Sequence, residues 1–111
     1  MAIKPKYLDQ ILRGVKTTEY RSISTYWVSK LVDTTKYSGM DNDSIRQAII
    51  TGKRELYPRK YDSITFFDGK RVVVVQMLDT KIYRGHEYFA IALGKIVKKS
   101  LLSRKSGQIG L

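Results

Sequence analysis

The second half of the chain contains a hairpin, and that hairpin limits the fold more than any other feature. Residues 63–67 (Ser-Ile-Thr-Phe-Phe) read as a strand, Asp68-Gly69 follows at once, and residues 71–78 resume with the unbroken apolar stretch Val72 to Val75. An Asp-Gly step between β-branched and aromatic runs is the strongest short-range signal for two antiparallel strands. The valine stretch is apolar enough to be buried on both faces. Lys81 to Tyr83 reads as a further short strand before a turn at Gly85. Residues 88–93 form the last strand, broken at Gly94 and resumed through Ile96 and Val97.

The first half has a different periodicity. Met1 to Lys4 reads as a short strand stopped by Pro5, which has no ladder donor and fits the first turn of a helix. Tyr7, Leu8, Ile11 and Leu12 follow at helical spacing, and Gly14 closes the helix. Thr17, Thr18, Tyr20 and Ile23 make a strand-like run. Residues 25–33 then put Trp27, Val28, Leu31 and Val32 on one helical face, with Thr25 as N-cap. After a polar loop around Gly39, Asp43 or Ser44 caps a helix carrying Ile45, Ala48, Ile49 and Ile50, and Gly52 ends it.

Five or six mostly antiparallel strands in 111 residues must close on themselves or leave exposed edges. The expected architecture is α+β: a small β-barrel with two or three helices. The length is that of one domain, expected over residues 1–99, with residues 100–111 as a basic, flexible tail. A hydrophobic content of 42% supplies a core. With no cysteine and a single histidine (His86, expected in a solvated turn), disulfides, thiolate zinc sites and multi-histidine metal sites are excluded. The expectation is no metal and no cofactor. Val72 to Val75 is the longest apolar run and no secretory segment follows Met1, so an intracellular, cytoplasmic protein without a membrane partner is expected.

The charge is the strongest functional signal. Lys and Arg number 21 against 10 Asp and Glu, a net charge of +11. The excess falls in three blocks: residues 1–21, residues 53–60 (Lys53, Arg54, Glu55, Arg59, Lys60) and residues 94–111, separated by two neutral stretches. Such a balance points to a polyanion, most simply nucleic acid. If the blocks converge, they make a phosphate-tracking surface. Interleaving Arg54, Tyr57, Arg59 and Lys60 gives cations beside an aromatic ring, and Lys4 and Lys6 flank the first helix. Of the eight tyrosines, most are expected at the rim of the core. One or two are expected to face a binding cleft, with Tyr20 the poorest candidate because it alternates away from Glu19 and Arg21.

One constellation stands out within the first block. Gly14 turns the chain out of the helix and leaves Lys16 at the exit. On the strand that follows, Glu19 and Arg21 are two apart and share a face. A Lys–Glu–Arg cluster can hold phosphate or a nucleobase edge, and a desolvated lysine beside a carboxylate can act as base or nucleophile. The same residues also suit a plain ion-pair cluster at a strand end.

The spacing Gly14-x-Lys16-x-x-Glu19-x-Arg21 resembles the GxKxxExR signature of ASCH domains, members of the PUA-like superfamily. The lead-in Ile3-Lys4-Pro5-Lys6-Tyr7, the later Tyr61-Asp62-x-Ile64-x-Phe66 followed by Gly69, and the closing Phe89-x-Ile91-x-Leu93-Gly94-Lys95-Ile96 are similar to that family in order and kind. The resemblance covers residues 3 to about 97 and implies a small barrel with a cleft beside the first helix. It also implies an RNA- or nucleotide-binding domain, with DNA as a further partner class. Binding would fall to Lys4, Lys6, Lys16, Glu19, Arg21, Arg54, Arg59 and Lys60. The alternative it implies is a small amidohydrolase acting on N4-acetylcytidine-type nucleosides, or a ribonuclease, with Lys16 and Glu19 catalytic. The deacylating relatives carry a threonine where this chain has Glu19. A protein-interaction adaptor, docking through the basic tail, is a third class.

Overall fold

The computed structural model describes residues 1–83, 85 and 87–101. It is an α+β fold of three α-helices and one four-stranded antiparallel sheet in the order β1-β4-β3-β2. The helices are α1 (Pro5–Leu12), α2 (Thr25–Leu31) and α3 (Asn42–Ile50); the strands are β1 (Thr18–Ser22), β2 (Ser63–Phe67), β3 (Arg71–Tyr83) and β4 (Tyr88–Leu101). The α+β expectation holds, with four strands among the described residues instead of five or six. The chain divides into two compact units, and β3 and β4 each run through both.

The first unit comprises residues 1–17, 62–77 and 93–101 of the described chain. Pro5 opens α1 at its first position, where the missing N–H is not needed. Gly14, at φ 74°, takes the left-handed conformation that ends the helix. The N–H groups of Val15 and Lys16 then both donate to the Gln10 carbonyl, at 2.9 and 3.1 Å, folding the exit back against the helix. β2 pairs antiparallel with β3, and Ile64 and Phe66 lie opposite Val75 and Val73, all four buried. Val72 and Val74 are only half-buried, so the valine run has one core face and not two. The strand expected at Met1 to Lys4 reduces to a single parallel bridge between Ala2 and Phe67, because Pro5 begins the helix directly afterwards.

The β2–β3 turn differs in detail from the Asp-Gly expectation. Phe67 pairs with Val72, and the Asp68 N–H donates to the Arg71 carbonyl, so the central residues are Gly69 and Lys70. Gly69 has φ 98° and Lys70 a negative φ, the arrangement that needs glycine first. Asp68 is the side-chain lock. Its Oδ1 accepts from the N–H groups of Lys70 (3.0 Å) and Arg71 (2.8 Å); its Oδ2 accepts from Arg71 Nε (2.9 Å) and Nη2 (2.7 Å). Arg71 also reaches Asp9 of α1 at 2.6 Å. Four donors on one carboxylate hold the Asp68 pKa down to about 2.

The second unit comprises residues 18–61 and 78–92. β1 pairs antiparallel with β4, with Glu19 opposite Ile91 and Arg21 opposite Phe89. α2 and α3 pack on each other and bury Val28, Leu31, Ile45 and Ile49. Each helix is capped upstream of the expected residue. Ser24, not Thr25, accepts from Trp27 N at 3.2 Å; Asp41, not Asp43 or Ser44, accepts from Ser44 N at 2.8 Å. A cap needs extended backbone with its oxygen over the third N–H that follows, and Ser24 and Asp41 have both. A 3₁₀ turn, Thr34–Lys36, leads to Tyr37, which is buried.

β3 and β4 are longer than the sequence pattern suggested. Lys81 to Tyr83 continues β3, and β4 passes through Gly94 without a break to include Ser100 and Leu101, two residues assigned above to the tail. The rest of that tail, with Arg104 and Lys105, and His86 lie outside the described residues. In β3 the inward set is Val73, Val75, Met77 and then Thr80, so two consecutive exposed residues, Leu78 and Asp79, shift the alternation by one. Asp79 Oδ1 accepts from Thr80 N at 2.8 Å at that point. Among the described residues no helix is long and apolar enough to cross a membrane.

The folded-state pKa of Asp68 lies below its ordinary value of 3.8, so its stabilisation is complete above about pH 5 and is lost as pH falls through 4 toward 2. Melting temperatures measured from pH 2 to pH 7 should show wild type above Asp68→Asn at neutral pH, with the gap closing over that window. Thr80 Oγ1 is buried with no hydrogen-bond partner among the described residues. Thr80→Val removes that unsatisfied oxygen at almost constant shape and should raise unfolding free energy by about 1 kcal/mol in a urea titration.

Candidate nucleic-acid interface

The signature Gly14-x-Lys16-x-x-Glu19-x-Arg21 straddles the division between the units, with Lys16 in the first and Glu19 and Arg21 in the second. In the first unit the folded-back helix exit places the Lys16 ammonium 5.7 Å from the centre of the Tyr7 ring. Lys6 lies 5.1 Å from the same ring. Two lysines thus gather on one exposed aromatic, and Lys4, also exposed, is the residue just before α1. Each cation gains from the ring's negative face, and the pair makes a compact positive site. The sequence reading placed Lys16 beside Glu19; its ring contact with Tyr7 was not foreseen, since it depends on the reversal at Gly14.

The same unit is strongly basic. Its described residues include nine Lys and Arg against three Asp, with Lys95, Lys98 and Lys99 exposed along the end of β4. An open depression is lined by Pro5, Asp68, Gly69, Lys70, Arg71 and Leu101. It is poorly suited to an anion. Arg71 spends four of its five N–H donors on Asp9, Asp68 and the Pro5 carbonyl.

In the second unit Glu19 and Arg21 come together as expected, and the face they share is the inner one. Their cross-strand partners Ile91 and Phe89 are fully buried, and Glu19 itself is only 6% exposed. Arg21 Nε and Nη2 both donate to Glu19 Oε2, at 2.9 and 2.5 Å. The Arg21 guanidinium lies 5.3 Å from the Trp27 ring, so Trp27 of α2 covers the pair. A carboxylate held in this way is fixed in position more firmly than a surface one.

The 53–60 block is largely bound to its own unit. Arg54 lies 5.1 Å from the Tyr37 ring and donates to the Lys36 carbonyl at 3.1 Å. The Tyr37 hydroxyl donates to the Glu55 carbonyl at 2.6 Å and accepts from Tyr57 N at 3.0 Å. Burial pushes the Tyr37 pKa up. Arg59 donates its backbone N–H to Leu31 and approaches the Val32 carbonyl at 3.5 Å with Nη2. Arg54 and Arg59 therefore pin this segment to its neighbours, and Lys53 and Lys60 are the exposed lysines of the block. Tyr61, with its hydroxyl on the Lys30 carbonyl at 2.6 Å, serves the same local purpose.

No family model, curated protein or solved structure matches the chain. Among the described residues no group of three or more His, Asp or Glu could hold a metal ion.

The buried pair yields a prediction. Removing one member leaves the other charged and poorly solvated, at a cost of several kcal/mol when burial is complete. Arg21 keeps about a fifth of its side chain exposed, so the penalty is reduced. Glu19→Ala should lower unfolding free energy by about 2 kcal/mol in urea. Adding Arg21→Leu to that variant should recover part of the loss, because the stranded guanidinium is then gone.

Proposed function

We propose that this chain is an ASCH-type, PUA-like domain that binds nucleic acid, RNA in preference to DNA, and that backbone phosphates are received by Lys4, Lys6 and Lys16 around Tyr7. The observation carrying this reading is the convergence of Lys6 and Lys16 on one exposed ring, in a unit whose described residues are three-to-one basic. Two ammonium groups at one ring suit a phosphate with a base beside it: the cations meet the charge and the ring offers a stacking face. Lys60 and the β4 lysines extend the positive field that steers a polyanion. Glu19 and Arg21 enter as a fixed pair, with one carboxylate oxygen taken by two guanidinium N–H groups, which favours a positioning role over proton transfer.

Phosphate-dominated binding must weaken with salt, by about 0.7 log units of affinity per log unit of salt for each single-strand phosphate neutralised. Fluorescence anisotropy with a single-stranded RNA should give a slope of about −2 for three lysines, and Lys6→Ala and Lys16→Ala should each flatten it by about 0.7. Binding that ignores salt and these substitutions would overturn the proposal. Acetate release from N4-acetylcytidine, abolished by Lys16→Ala, would replace the binder with a hydrolase.

A further inference from the structure

Outside the lysine cluster, the outward sheet face of the second unit carries three tyrosines. Tyr20 of β1, Tyr83 of β3 and Tyr88 of β4 are 48%, 49% and 42% exposed. In the strand order, β4 lies between β1 and β3. Tyr20 sits opposite Ala90, and Ser22 sits opposite Tyr88, so Tyr20 and Tyr88 are diagonal neighbours on one face. Rings from the two strands that flank β4 meet on this face: the Tyr20 and Tyr83 ring centres are 5.9 Å apart, tilted by 36°. Lys81 is two residues before Tyr83, on the same face, and is exposed. The opposite face of β1 and β4 is committed to Glu19, Arg21, Phe89 and Ile91, so these rings are not needed to fill that core.

We propose that Tyr20, Tyr83 and Tyr88 form a stacking platform for unpaired nucleobases, with Lys81 placed for an adjoining phosphate, so that the preferred ligand is single-stranded RNA. The inference rests on the nucleic-acid reading above and adds the strandedness of the ligand. A sheet face bearing exposed rings can take splayed bases on their π-faces, whereas a duplex keeps its bases stacked on each other and offers such a face nothing. Tyrosine suits the task because it gives a large rigid ring with few rotatable bonds and a hydroxyl that tolerates water. The net charge of +11 matches a polyanion and disfavours a second copy of the chain as occupant.

The test uses a single-stranded RNA of about ten nucleotides, labelled with 2-aminopurine, and a blunt RNA duplex of equal length. Wild type should bind the single strand more tightly and quench the probe. Tyr20→Ala and Tyr83→Ala should each weaken single-strand binding about 5- to 50-fold and relieve the quenching, leaving duplex affinity within twofold. Tyr83→Phe, which keeps the ring, should behave as wild type and controls for folding. Equal binding of both RNAs, unchanged in the alanine variants, would overturn the platform and leave the lysine cluster standing. Failure of wild type to bind either RNA would overturn both. A dimer in sedimentation that Tyr83→Ala dissolves would assign the patch to self-association and overturn the platform.

Discussion

A carboxylate taken out of water must be given donors in the same place, and this requirement organises both units. The chain has ten acidic residues, and the two most thoroughly enclosed side chains described above, Asp68 and Glu19, are each met by an arginine within three residues. In the first unit, Arg71 ties the β2–β3 turn to Asp9 and so fixes α1 against the hairpin. In the second, Arg21 and Glu19 occupy inward positions of β1 and are covered by Trp27 of α2. Acidic groups are thus used as fasteners, and much of the remaining charge is exposed lysine. That division leaves a strongly positive surface on a domain whose interior electrostatics are satisfied locally.

Elements set by local chemistry were legible in the sequence. Pro5 and Gly14 bracket the first helix because one tolerates a missing donor and the other a positive φ. Two-residue periodicity correctly put Glu19 and Arg21 together and sent Tyr20 the other way. Features that depend on which strands are neighbours could not be read. Nothing local says that a single strand, β4, separates Tyr20 from Tyr83, so the residue ranked last for ligand contact is central to the proposed platform. Burial of Tyr37 beneath Arg54 and Glu55 is equally non-local, and it changes the 53–60 block from a free basic loop into a fastened one. Helix caps were missed by one to three residues because several polar side chains compete near each start, and backbone geometry chooses among them.

The two proposed binding surfaces use different physics. Lysines around Tyr7 supply long-range attraction and little discrimination; the outer tyrosines supply short-range stacking and depend on strandedness. Each surface belongs to its own unit. The family-like motif then has a mixed meaning. Lys16 reaches a prospective ligand surface, whereas Glu19 and Arg21 hold the strand that carries Tyr20.

The change of face within β3 has a consequence for how this chain can vary. Val73, Val75 and Met77 face inward at odd positions and Thr80 at an even one, with Leu78 and Asp79 absorbing the difference. Loss of one of those two residues would restore strict alternation and leave every face downstream as it is: Thr80 and Ile82 inward, Lys81 and Tyr83 outward. Loss of a residue elsewhere in the strand would instead turn everything beyond it to the opposite face. Substitutions at Leu78 are cheap as well, since that side chain is exposed. Lineages descended from this sequence should therefore accept a one-residue deletion at this point and reject one at any other position of the strand.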